Sequence, residues 1–148
     1  MAAIFTALHS KFRRECAYEQ GKGGSSADAL CADRRKKICS TAEALVREAA
    51  ANGAQIILLP ELWERPYFCQ QRRYDFYQYA LPTEENPAVQ MGKRLAKELN
   101  IVLPISFFER DVNELYNSIA CIDADGEILG VYRKTHIPDD HFIRKILL

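Results

Sequence analysis

The chain has 148 residues, which suits one domain, and its 48% hydrophobic and 27% charged composition is that of a soluble globular protein. Lys plus Arg and Asp plus Glu both number 20, giving a formal net charge of +0, so the basic footprint of a nucleic-acid or acidic-membrane binder is missing. No apolar run approaches the ~18 residues needed to span a bilayer.

The opening Met1-Ala-Ala-Ile-Phe-Thr-Ala-Leu8 has no basic region ahead of its apolar part, which argues against a secretory signal. Lys11, Arg13 and Arg14 precede the first acid, Glu15, and leave a mitochondrial presequence as the alternative to a cytoplasmic location. The five cysteines (Cys16, Cys31, Cys39, Cys69 and Cys121) are odd in number and lack paired ligand spacing, as expected of reduced, mostly buried thiols. Ala3–Leu8 reads as a first strand, but Gly21-Lys-Gly-Gly-Ser-Ser26 breaks any regular element and reads as a flexible loop. Arg34-Arg-Lys-Lys37 reads as a solvated helix face. Residues 1–39 are accordingly set apart as a divergent N-terminal segment.

From Ser40 the pattern becomes regular. Ser40 and Glu43 fit a capping box that opens a helix running through Ala51, with Gly53 as its left-handed stop. Gln55-Ile-Ile-Leu-Leu-Pro60 lacks polar alternation and predicts a strand covered on both faces. Asn86-Pro87 predicts a second helix start, after which Ala88, Met91, Leu95 and Leu99 share one apolar face. Ile101–Phe107 is another apolar strand, and Pro104 within it belongs at an edge or bulge because it cannot donate to a ladder. Leu115–Ile122 and Glu127–Arg133 flank Asp123-Ala-Asp-Gly126, the signature of a β-hairpin. These elements make an α/β layered domain.

Glu61 follows the first of these strands at its carboxyl end, where open α/β sheets place ligands and chemistry. In isolation it is either a solvated strand terminator or a catalytic base. A longer set of blocks bears on the choice. These are Leu59-Pro-Glu-Leu-Trp-Glu-Arg-Pro-Tyr-Phe-Cys-Gln70, Ile101-Val-Leu-Pro-Ile-Ser-Phe-Phe-Glu-Arg110, Tyr116-Asn-Ser-Ile119, Ile122-Asp-Ala-Asp-Gly126 and Tyr132-Arg-Lys-Thr-His-Ile-Pro-Asp139. Together they resemble the carbon–nitrogen hydrolase (nitrilase) superfamily. The Pro66-Tyr-Phe-Cys-Gln70 portion resembles its N-carbamoylputrescine amidase branch in particular.

The resemblance implies the N-terminal half of a four-layer αββα sandwich, with residues 40–139 a partial hydrolase domain and 140–148 an unrelated tail. A frameshift, retained intron or early stop would produce such a tail. Half a sandwich would also leave the inner face of its sheet bare. The implied chemistry is cleavage of a non-peptide C–N bond through a cysteine thioester, without metal or organic cofactor. Glu61 matches the family's general base and Lys134 its oxyanion-stabilising lysine, while Arg133 and His136 read as structural.

No Gly-x-x-Ile-Cys-Trp-like block follows Lys134, so the nucleophile is expected to be absent from this chain. Cys69 reads as a packing residue, and Lys145 stands where the family has a second active-site glutamate. The implied partner is a small carbamoyl or amide substrate, with a homo-oligomer as the implied assembly. The alternative is a catalytically dead fragment or pseudo-enzyme that associates with a full-length relative.

Overall fold

The computed structural model describes residues 27–65, 67–69 and 74–137. The expected first strand, the glycine–serine loop and the 140–148 tail with Lys145 lie outside them.

Helix α1 spans Ala27–Ala51. It buries Ile38, Ala42, Leu45, Val46 and Ala49, one stripe at helical spacing. Ser40 is therefore interior to the helix, where its hydroxyl donates to the Lys37 carbonyl at 2.9 Å, and it does not cap an N-terminus. The capping-box reading fails because the same Ser-x-x-Glu pattern is compatible with an exposed face of a helix already under way. The end matches expectation. Ala54 N–H donates to the Ala49 carbonyl and Gly53 N–H to that of Ala50, closing a Schellman motif around Gly53 at φ +85°.

Helix α2 spans Pro87–Leu99. Asn86 is fully buried and caps it, its side-chain oxygen accepting from Ala88 N at 2.8 Å and Val89 N at 3.3 Å. Ala88 and Leu95 are buried, Met91 and Leu99 pack against the same cluster, and Asn100 ends the helix in the left-handed region at φ 53°. Arg47 and Arg94 bridge to Glu43 and Glu98 across the two helices, exposed pairs of small individual worth.

Strands β1 (Ile105–Asp111), β2 (Glu114–Ile122) and β3 (Ile128–Arg133) form an antiparallel sheet in that order. The β2–β3 connection is the expected hairpin, closed by Gly126 at φ +86°. A Cβ at Gly126 would stand 2.8 Å from the Lys93 carbonyl oxygen, so this turn is pressed against α2. The predicted strand over 101–107 is shifted. Val102 makes a single parallel bridge to Ile56, and the ladder starts only after Pro104, which supplies no N–H at the junction.

Paired residues share a face, so the register sorts the sheet. Ile105, Phe107, Ala120 and Ile122 pack with the helices, while Ser106, Asn117, Ile119 and Tyr132 point the other way. The expectation for 56–59 is corrected on the same grounds. Ile57 and Leu59 are buried, but Ile56 is 68% and Leu58 36% exposed, so the described residues cover this run on one face only. Tyr132, on the same uncovered side of the sheet, is 60% exposed.

Candidate active site

Glu61 leaves the Ile56–Pro60 run at a turn whose shape is held by buried polar groups. Leu62 sits at φ 50°, a left-handed conformation uncommon for a residue with a Cβ, and its N–H donates to the Ser106 hydroxyl at 3.1 Å. Two residues on, buried Glu64 receives Arg35 Nη2 at 2.6 Å and Asn86 Nδ2 at 3.4 Å. Arg35 is thus not part of a solvated face. It ties α1 to the turn, while Asn86 ties the turn to the start of α2. Leu62, Phe68, Cys69, Ala80 and Phe108 form a second apolar cluster on this side.

Lys134 follows β3, and its backbone N–H continues the ladder by donating to the Asn117 carbonyl at 2.9 Å. Its Nζ donates to Glu61 Oε1 at 2.9 Å, although the two residues are 73 positions apart in sequence. Asn117 Nδ2 donates to the same oxygen at 2.6 Å, and the Tyr67 hydroxyl donates to Oε2 at 3.3 Å. The opposite amide orientation would set Oδ1 of Asn117 against a carboxylate, so the donor orientation is chemically required. Burial pushes the Tyr67 phenol up, and the Glu61 charge adds to that, so the phenol stays protonated and remains a donor at neutral pH.

An open groove of about 310 Å³ lies along this face, bordered by Glu61, Lys134 and Asn117 and floored by Leu58, Ile119 and Tyr132. None of the described cysteines, Cys39, Cys69 and Cys121, lines it. Cys69 is fully buried in the second cluster, a packing position. His136 is exposed beyond β3. Among the described residues no group of three His, Cys, Asp or Glu side chains gathers as a metal site. None of their helices is long and apolar enough to cross a membrane.

A second carboxylate grips the opposite face of the same two strands. Glu109, 3% exposed, takes Arg133 Nε at 2.9 Å and Nη2 at 2.8 Å, Ser118 Oγ at 2.5 Å and Thr83 Oγ1 at 3.2 Å. Arg133 also reaches Asp111 at 2.7 Å and lies over the Tyr116 ring at 4.2 Å. Glu61 therefore holds positions 117 and 134 from one side while Glu109 holds 118 and 133 from the other.

Burial works to raise the Glu109 carboxyl, but Arg133, Ser118 and Thr83 outweigh it and keep the group below the ordinary carboxylate range. A lowered folded-state value stabilises above the unfolded value, about 4.3 for Glu, and the gain disappears as pH falls through the folded value. The thermal midpoint of the chain is therefore expected to drop below about pH 4, with a shallower acid limb in Glu109→Gln. Melts recorded across pH 2–7 for both proteins check this, and identical acid limbs would contradict it.

The carbon–nitrogen hydrolase family profile matches residues 29–147. The chain belongs to the carbon–nitrogen hydrolase family. It is 53% identical over 109 residues to N-carbamoylputrescine amidase of Oryza sativa subsp. japonica, an alignment covering 74% of this chain and 36% of that protein. It is 56% identical over 97 residues to citrullinase of Francisella tularensis, covering 66% of this chain and 34% of that enzyme. The carbon–nitrogen hydrolase of Helicobacter pylori G27 superposes with a TM-score of 0.68 at 32% identity, over 75% of this chain and 38% of that one. The α/β arrangement is thus part of a nitrilase-like fold. The chain spans little more than a third of the length of the relatives it matches.

The sequence named Glu61 and Lys134 as candidate site residues, and the structure brings their side chains together. Asn117 and Tyr67, which also donate to Glu61, were not named, although both lie in quoted blocks. The available signal was an amide in the strand Glu114–Ile122, whose neighbours are largely apolar or destined for the other face.

Proposed function

We propose that this chain carries the base and the oxyanion cation of an amidase that hydrolyses a carbamoyl C–N bond, with N-carbamoylputrescine or a related ureido compound as substrate. The observation that carries the reading is the 2.9 Å contact between Lys134 Nζ and Glu61 Oε1 at the edge of a groove on the uncovered sheet face. The named activities of the rice and Francisella relatives, which share carbamoyl chemistry, support the substrate class.

The roles follow from the chemistry. A thiol with pKa near 8.5 must lose its proton, and Glu61 takes it. The thiolate adds to the carbamoyl carbon, and the developing negative oxygen is stabilised by the Lys134 ammonium. Glu61 returns its proton to the amine nitrogen as the C–N bond breaks, leaving a carbamoyl thioester. Water, deprotonated by Glu61, then adds to the thioester carbon. The C–S bond breaks, Glu61 returns the proton to the sulfur, and the carbamic acid released decomposes to carbon dioxide and ammonia.

None of the described cysteines, Cys39, Cys69 and Cys121, lines the groove, so none of these three is placed to supply the thiol. The same observation favours the second reading, a catalytically silent chain that pairs with a full-length relative. One exchange separates the two. The matched segment of the rice enzyme is replaced by the corresponding segment of this chain, which places Glu61 and Lys134 in a protein that has its own thiol. Release of ammonia from N-carbamoylputrescine by the exchanged enzyme supports the hydrolase reading. A folded exchanged enzyme without turnover, together with a native chain that co-purifies with the intact relative, supports the silent partner.

A further inference from the structure

We propose that Asn117 is a positioning residue of this site, its side-chain amide setting the Glu61 carboxylate while its own carbonyl sets the backbone of Lys134. The inference deepens the hydrolase reading, but the geometry it rests on belongs to the chain alone.

Asn117 is 4% exposed and its Nδ2–Oε1 distance of 2.6 Å is the shortest of the hydrogen bonds described at Glu61. A neutral amide donating to an ionised carboxylate makes a charge-assisted bond, stronger than a neutral pair. Because Asn117 is in β2 and Lys134 extends β3, the base and the cation are referred to the same ladder rung. The rung itself is fixed from the opposite face, where Glu109 binds Ser118 and Arg133, the immediate neighbours of Asn117 and Lys134. Glu61 reaches this rung from a separate segment, whose ties among the described residues are the Ile56–Val102 bridge and the Leu62 N–H bond to Ser106 Oγ. Its side chain therefore needs a fixed donor on β2, and Asn117 provides it. Lys134 alone would not do this, because an ammonium on a flexible four-carbon stem attracts without imposing direction.

The test is a carbon NMR titration of the chain labelled at Glu Cδ, with Glu61→Gln identifying the resonance. Asn117 Nδ2 binds the charged form of Glu61 more strongly than the neutral one, so Asn117→Ala and Asn117→Ser are expected to raise the Glu61 titration midpoint by about one pH unit. In the unsubstituted chain the Asn117 side-chain amide protons are expected to shift through that same midpoint, and this response is lost in Glu61→Gln. This second arm needs no Asn117 variant to fold. A residue that only packs would alter the melting temperature and leave both titrations unmoved, and that result would overturn the proposal. The titrations are read without turnover, so a silent exchanged enzyme would remove the hydrolase reading and leave this outcome intact.

Discussion

Glu61→Gln in the exchanged enzyme is expected to lower kcat/KM for N-carbamoylputrescine by about 10²–10⁴-fold, or about 3–5 kcal/mol of barrier. The amide is nearly isosteric with the carboxylate, so the turn around Leu62 and the donor from Tyr67 keep their places. The capacity to accept and return a proton is lost. Lys134 also loses its charge partner, which leaves the cation in the groove but no longer aimed by an opposite charge at 2.9 Å. Initial-rate measurements across substrate concentration check the prediction. A fall carried mainly by kcat fits a base that acts in the chemical step, whereas a rise in KM alone would not. Retention of more than about a tenth of the activity would place the proton transfer on another residue.

Phe107→Ala is expected to cost about 3–5 kcal/mol of folding free energy, a large share of the 5–15 kcal/mol typical of a domain. Phe107 is fully buried in the cluster that joins both helices to the sheet, among Leu45, Val89 and Leu103. A close-packed interior collapses only partly around a missing ring, so the lost transfer energy is joined by a cavity cost. The loss also reaches the site, because β1 carries Ser106 and Glu109 on either side of Phe107. Urea unfolding followed by circular dichroism is expected to show a lower midpoint with little change in slope. A destabilisation under about 1 kcal/mol would mean that the helices and sheet are not held together at this point.

What the sequence made legible was what local chemistry dictates. Asn86-Pro87 reads as a helix start because an amide cap and a first-turn proline leave the backbone few other choices, and the structure places the cap on Ala88 and Val89. Gly53 and the Asp123-Ala-Asp-Gly126 turn were readable for the same reason, since each needs a backbone region that most residues avoid.

Tertiary context was harder to read. Ile56 to Leu59 are all apolar, so no periodicity could reveal that alternate residues face the helices and the groove. The start of α1 was misplaced because Ser40 has the composition of a cap, while the helix in fact begins earlier, at Ala27. At the site, the charged pair was readable from motif position. Asn117 was not, because an uncharged amide in a strand has no sequence signature until the register places it beside a carboxylate. The grip of Glu109 on Ser118 and Arg133 was hidden likewise, as it spans three strands' worth of separation and depends on which face each residue takes.

The meeting of Glu61 and Lys134 is tested most directly by zero-length carbodiimide coupling of the native chain, with the products located by peptide mass spectrometry. An ammonium and a carboxylate in contact at 2.9 Å are expected to yield an amide between these two side chains, which disappears in Glu61→Gln. Lys134 joined instead to Asp111 or Glu109, on the opposite face of the sheet, and never to Glu61, would contradict the account.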